Sequence, residues 1–126
     1  GRILVMDDEE SILAIAEKML AKLGYDVVTA RNGEQAVEIY KQAMQSDKKI
    51  DAVILDLTIV GGMSGKDTIG QLLKIDTNVK AIVSSGYSTD IVVSEYDKYG
   101  FKGILPKPYE LVAMSQVLNK ILVKCS

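Results

Sequence analysis

Four short apolar runs end in residues that can do chemistry. Asp7 and Asp8 follow Ile3-Leu4-Val5-Met6, and Asp56 follows Ala52-Val53-Ile54-Leu55. Ser85 closes Val79-Lys80-Ala81-Ile82-Val83-Ser84, and Lys107 stands between Pro106 and Pro108 after Gly103-Ile104-Leu105. The chain has no histidine and one cysteine, Cys125, so disulfide frameworks, thiolate zinc sites, His-based triads and His metal ligands are excluded. Carboxylates, hydroxyls, lysines and backbone remain. Three carboxylates sharing one crevice repel one another unless a cation satisfies them. A hard divalent ion is the natural occupant, and Mg²⁺ typically takes one or two carboxylates, several waters and a phosphate oxygen. With Lys107 as a mobile positive charge and Ser85 as a hydroxyl donor, the set suits transfer of a phosphoryl group onto an oxygen. Asp56 is the nucleophile of choice, since carboxylates form acyl phosphates.

These residues must meet for any of this to happen, and the pattern of the chain says how. Runs of branched side chains too short for helices read as strands buried on both faces of a parallel sheet. Strands are expected at 3–6, 25–30, 51–55, 79–84 and 103–105. Between them apolar residues recur at helical spacing: Ile12, Ala16, Met19, Leu20 and Leu23 before a cap at Gly24; Ala36, Val37, Tyr40 and Met44 behind an N-cap at Asn32 with Gln35 reaching back; Ile69, Leu72 and Leu73 after a glycine-marked loop from Thr58 to Gly65; and Leu111, Met114, Leu118, Ile121 and Leu122. The stretch Thr89–Tyr99 has a weaker helical pattern dominated by β-branched residues. Strand and helix alternate five times, which predicts an α/β fold with a parallel sheet, right-handed crossovers and helices on both faces. All strand ends then share one edge. With strand order 2-1-3-4-5 the reversal falls between the first and third strands, placing the crevice between Asp7/Asp8 and Asp56.

Composition excludes other classes. A length of 126 residues fits a single domain, 1–126. The net charge of −2 gives no electrostatic case for nucleic acid as a direct partner, and no apolar run approaches the length of a membrane span. Gly1-Arg2-Ile3-Leu4-Val5 is not a signal peptide, so the chain reads as cytoplasmic. Its abrupt beginning suggests a piece excised from a longer protein.

Taken together, ILVMDDEE, VILDLTIVGGMSG, AIVSSGYS and GILPKPYE resemble the receiver domain of two-component response regulators, with the resemblance running from Ile3 to about Leu122. The SSGYS and LPKPY wording is most similar to receivers attached to hybrid histidine kinases. The resemblance implies a five-stranded flavodoxin-like fold and a phosphorelay role. A histidine kinase or histidine phosphotransfer protein would donate phosphate to Asp56, with a downstream effector or an attached kinase domain as the other partner. It implies catalysis of the domain's own phosphorylation and dephosphorylation, without separate substrate turnover. It further implies Mg²⁺ binding through the carboxylates of Asp8 and Asp56, the backbone carbonyl of Thr58, and Asp7 mainly through water. Ser85 would be the switch hydroxyl, Lys107 the phosphate-contacting lysine, and the Lys107-Pro108 bond cis. The family's water approach would pass Thr58 and Tyr87. Two positions depart from the family pattern: Val60 stands where proline is frequent, and Ile104 where Tyr or Phe is common.

Three other readings compete. A degenerate receiver used only for docking would have lost an acid, the hydroxyl or the lysine, and all are present. A phosphohydrolase with an Asp nucleophile would carry a second acid two residues on, where this chain has Thr58. A flavin-binding module would need a phosphate-cradling loop after the first strand, where Asp7-Asp8-Glu9-Glu10 would repel the phosphate.

Overall fold

A computed structural model describes residues 1–57, 63, 65–86 and 96–122. Five parallel strands, β1 (Arg2–Met6), β2 (Asp26–Ala30), β3 (Ala52–Asp56), β4 (Ala81–Ser85) and β5 (Gly103–Pro106), form one sheet in the order β2-β1-β3-β4-β5. This is the expected α/β architecture and the expected strand order. The connections run through α1 (Glu10–Lys22), α2 (Gly33–Met44) and α3 (Gly65–Ile75), and a last helix, α4 (Leu111–Leu122), follows β5.

The central strands are continuous apolar runs because both of their faces are covered. Successive side chains alternate between two cores. Ile3, Val5, Ala52, Ile54, Ile82 and Leu105 face α1 and α4, meeting Leu13, Ala16, Leu20, Met114, Leu118 and Ile121. Leu4, Met6, Val53, Leu55, Ala81 and Val83 face α2 and α3, meeting Ala36, Tyr40, Ile69 and Leu72. A one-residue slip in any strand would exchange the two sets, so packing on both faces fixes the register.

Local signals act as their chemistry predicts, with small shifts. Asn32 accepts a hydrogen bond from Gln35 N–H at 2.9 Å and caps α2. The Gln35 side chain reaches back one residue farther than the usual box, to Arg31 N–H at 2.8 Å. Gly24 takes a φ of +93°, the left-handed conformation that ends a helix at least cost in glycine. The fourth strand starts at Ala81 rather than Val79, and Gly65, expected as loop, opens α3. Of the weak helical stretch Thr89–Tyr99, Tyr96–Tyr99 forms a 3-10 turn rather than α-helix, while 89–95 lie outside the described residues.

Candidate functional site

Parallel pairing carries the chemistry to one edge. β1 pairs with β2 on one side and β3 on the other, so the chain order reverses at β1/β3, where the crevice of an open α/β sheet lies. Asp7 and Asp8 leave β1 there, and Asp56 is the last residue of β3. Asp7 N–H donates to Ala30 O at 3.0 Å and Leu57 N–H to Ser84 O at 2.9 Å, so backbone bonds hold both strand ends.

Asp7 is 0% exposed and Asp56 1%; Asp8 lies on the solvent side of the cluster. One oxygen from each of the three carboxylates lies within 4.8 Å of the others. Lys107, from the bend after β5, places its Nζ 2.8 Å from Asp7 Oδ2 and 3.0 Å from Asp56 Oδ1. Burial alone would lower its pKa, but the close contacts with Asp7 and Asp56 and their charges outweigh that, and Lys107 is held above the ordinary lysine range. Ser85 is buried at the end of β4, one position beyond Ser84, the register partner of Asp56. Its carbonyl accepts Lys107 N–H at 3.1 Å, and the Lys107-Pro108 peptide is cis, as expected.

The structure thus brings Asp7, Asp8, Asp56 and Lys107 into one cluster and places Ser85 at the adjoining strand end. Thr58, Tyr87 and Cys125 lie outside the described residues.

The donor set fits a hard divalent cation. Asp7 Oδ1 accepts Glu9 N–H at 3.0 Å. Asp7 Oδ2, fully buried, meets Lys107 as an ion pair but accepts no aligned hydrogen bond. A buried carboxylate oxygen in that position is costly without cationic surroundings, of which Lys107 supplies one charge. One lysine supplies a single positive charge against three carboxylates, which leaves room in charge for Mg²⁺, an ion that prefers oxygen donors.

Sequence reasoning treats Gly65 as a loop glycine and misses its contact with the site. A Cβ on Gly65 would lie 2.5 Å from the carbonyl oxygen of Asp56 and 3.2 Å from Leu57 Cα. Only glycine lets α3 start this close to the end of β3. A second connection joins the same segment to α2. Gly33 N–H donates to Met63 O at 3.2 Å, and Met63 N–H donates to Glu34 Oε1 at 3.0 Å. That bond holds the Glu34 carboxyl below its ordinary value. The Glu34 side of the bond has a trace in sequence, an acid in the first turn of a helix, but its partner does not.

Comparison with known proteins agrees with this fold. The family model for the response regulator receiver domain matches residues 3–119. The chain is 36% identical over 121 residues to the chemotaxis protein CheY of Thermotoga maritima, covering 95% of this chain and 96% of that one. It is 27% identical over 122 residues to the sensor kinase CckA of Brucella abortus, covering 97% of this chain but 12% of that much longer protein. Among solved structures, CheY of Borrelia burgdorferi in its complex with CheX, BeF3 and Mg²⁺ superposes with a TM-score of 0.86 at 25% identity, over 95% of this chain and 87% of that one. With nearly its whole length matched by the family model and a relative 36% identical over 95% of it, the chain belongs to the response regulator receiver domain family of two-component systems.

Proposed function

We propose that this chain accepts a phosphoryl group on Asp56 from a histidine kinase or a histidine phosphotransfer protein. The observation that carries the reading is a buried carboxylate at the sheet's carboxyl edge, 3.0 Å from a lysine and grouped with two further acids. In the transfer, an Asp56 carboxylate oxygen attacks the phosphorus of a phosphohistidine. The new O–P bond forms as the P–N bond breaks, and the imidazole leaves with the electron pair and takes up a proton. Lys107, 3.0 Å from Asp56, would neutralise charge on the phosphoryl oxygens, and the Ser85 hydroxyl would hold one of them. Asp7, Asp8, Asp56 and the backbone carbonyl of Thr58 would hold Mg²⁺, which when bound supplies charge neutralisation for the phosphoryl group. The Mg²⁺ and BeF3 of the Borrelia CheY complex support that assignment by likeness.

The chain would act as a single domain spanning 1–126, promoting its own phosphorylation and dephosphorylation without turning over a separate substrate. Its phosphorylated surface would engage a downstream effector or an attached kinase domain. The likeness to one segment of a sensor kinase supports attachment to a hybrid histidine kinase. No described helix is long and apolar enough to cross a membrane, in keeping with a cytoplasmic role. The docking-only reading is weakened by retention of all three acids, Ser85 and Lys107. The phosphohydrolase reading lacks the acid that would protonate a leaving group.

Intact-mass measurement after incubation with acetyl phosphate tests the proposal. The expected result is one added phosphoryl group that requires Mg²⁺ and is absent from Asp56→Asn. Equal uptake by the substituted protein would refute the assignment.

A further inference from the structure

The bend that delivers Lys107 is fastened to β4 at two points. One is the backbone bond from Lys107 N–H to Ser85 O. The other lies two residues on, where Tyr109 turns into the core beside Met114 and Leu105, and its hydroxyl shares a 2.8 Å hydrogen bond with Ser84 Oγ. Ser84 is also the register partner of Asp56, and its carbonyl receives Leu57 N–H. A single serine therefore touches both the strand end that carries Asp56 and the bend that carries Lys107. Resting on the phosphoacceptor reading above, we infer that Tyr109, hydrogen-bonded to Ser84, is a positioning residue that holds the Lys107 bend so that Nζ stands between Asp7 and Asp56.

β5 ends at Pro106, so Lys107 begins the bend beyond the strand, with its N–H bond to Ser85 O as a backbone link to β4. A lysine has a long flexible stem, and its ammonium is placed only as well as its backbone is. An aromatic ring fills volume at this position by shape alone. The hydroxyl pair adds direction, because a hydrogen bond tolerates a narrow range of distance and angle. Both hydroxyls are buried, so releasing the bend would leave two buried polar groups unsatisfied, which opposes the release. Burial pushes the pKa of the Tyr109 hydroxyl up to about 12, so it remains a neutral phenol at ordinary pH.

The tether has opposite effects on two measurable events. Holding the ammonium between Asp7 and Asp56 opposes a second cation entering the cluster, while keeping it ready for a phosphoryl group favours phosphorylation. Tyr109→Phe and Ser84→Ala each break the bond from one side with little change in volume, and thermal melts establish that each variant is folded. In metal-free protein, the partly buried, ion-paired Lys107 ammonium should give a protected NMR signal that both variants lose. Calorimetric titration should show Mg²⁺ binding two- to fivefold more tightly in the variants, while uptake from acetyl phosphate slows about fivefold, the loss of one ordinary hydrogen bond. The double variant should be no worse than either single one, because both remove the same bond.

Variants that keep the wild-type ammonium signal, Mg²⁺ affinity and rate would overturn the tether. So would a fall in both Mg²⁺ affinity and rate in step with melting temperature, which is the pattern of a merely structural tyrosine. If the wild-type protein neither binds Mg²⁺ nor takes up phosphate, the phosphoacceptor reading fails instead, and the ammonium signal in metal-free protein still decides whether Tyr109 positions Lys107.

Discussion

Removing a negative charge from the site should stabilise the metal-free protein, and removing its positive charge should destabilise it. Asp56→Asn loses an attraction to Lys107 across 3.0 Å, about 5 kcal/mol at an effective dielectric near 20. It also relieves repulsion from Asp7 and Asp8, whose nearest grouped oxygens lie within 4.8 Å, about 3.5 kcal/mol or more for each at the same dielectric. The repulsions slightly outweigh the attraction, and relief from burying an ionised carboxylate acts in the same direction. The expected gain is about 1–2 kcal/mol in EDTA at low salt, or about 3–8 °C in melting temperature for a domain of this size. Lys107→Met does the reverse. It leaves Asp7 and Asp56 buried without their counter-charge, and removing one partner of such a pair costs about 3–5 kcal/mol. Urea unfolding of the three proteins measures both effects. Mg²⁺ should then stabilise wild type, by about 2.7 kcal/mol at a hundredfold excess over its Kd, and Asp56→Asn far less. A metal-free Asp56→Asn protein less stable than wild type by 1 kcal/mol or more, or a Lys107→Met protein of unchanged stability, would refute the charge inventory.

Stability should also fall at alkaline pH. Tyr40, which is partly desolvated and donates to Asp76 Oδ2 at 2.7 Å, and Tyr109 both have pKa values raised above the ordinary 10.0, and Lys107 is raised above 10.5. In each case the folded protein keeps a proton that the unfolded chain releases, so the stabilisation is complete below about pH 10 and is lost as pH rises through the folded values. Melting curves from pH 8 to 11.5 should decline only above pH 10, and tyrosinate absorbance should show Tyr40 and Tyr109 protonated until unfolding; a flat profile contradicts this. Gly65→Ala forces a methyl group against the Asp56 carbonyl, with an expected cost of about 1–3 kcal/mol and slower phosphate uptake; wild-type melting and uptake would show that α3 can shift freely. Asp8→Ala should weaken Mg²⁺ binding more than Asp7→Ala does if, as the resemblance to receiver domains implies, Asp8 contacts the ion directly and Asp7 mainly through water, and the reverse order in a calorimetric titration would exchange their roles.

The fold was legible because both-face burial leaves a strong mark: five runs of branched residues, each followed by a helical period or a turn. The site was legible because a parallel sheet sends every strand end to the same edge, so Asp7, Asp56 and Lys107 could be grouped without any knowledge of distance. Contacts between side chains of unremarkable type were not legible. Nothing in the sequence pairs Ser84 with Tyr109, because a serine inside a strand and a tyrosine after a proline each have ordinary local explanations. Gly65 was hidden for a similar reason. Its neighbours Gly61 and Gly62 explain a loop without it, and only the approach of α3 to the Asp56 carbonyl shows why a side chain there would be harmful. Of the segment Thr89–Tyr99, whose β-branched residues blur a helical period, only the end Tyr96–Tyr99 is described, and it winds more tightly than an α-helix.

The charge balance of the edge explains why these groups belong together. Three carboxylates and one ammonium leave the cluster at −2, equal to the formal charge of the whole chain. A parallel sheet can hold that imbalance because Asp7 and Asp56 are fixed by strand backbone bonds and cannot move apart. The strain of like charges is thereby kept as cation affinity rather than relaxed by local rearrangement. Under the proposed function a divalent cation brings the cluster near neutrality, and phosphorylation of Asp56 then exchanges one negative charge for about two. The only positive side chain in the described cluster must answer that change, and Lys107 sits on a bend just past β5 that is tied to β4 by its N–H bond to Ser85 O. Asp7 and Asp56 carry their charges on short side chains while Lys107 carries its own on a long flexible stem, which is the division of roles a phosphate-dependent switch requires: fixed groups define where the phosphoryl group lands, and a tethered cation registers that it has arrived.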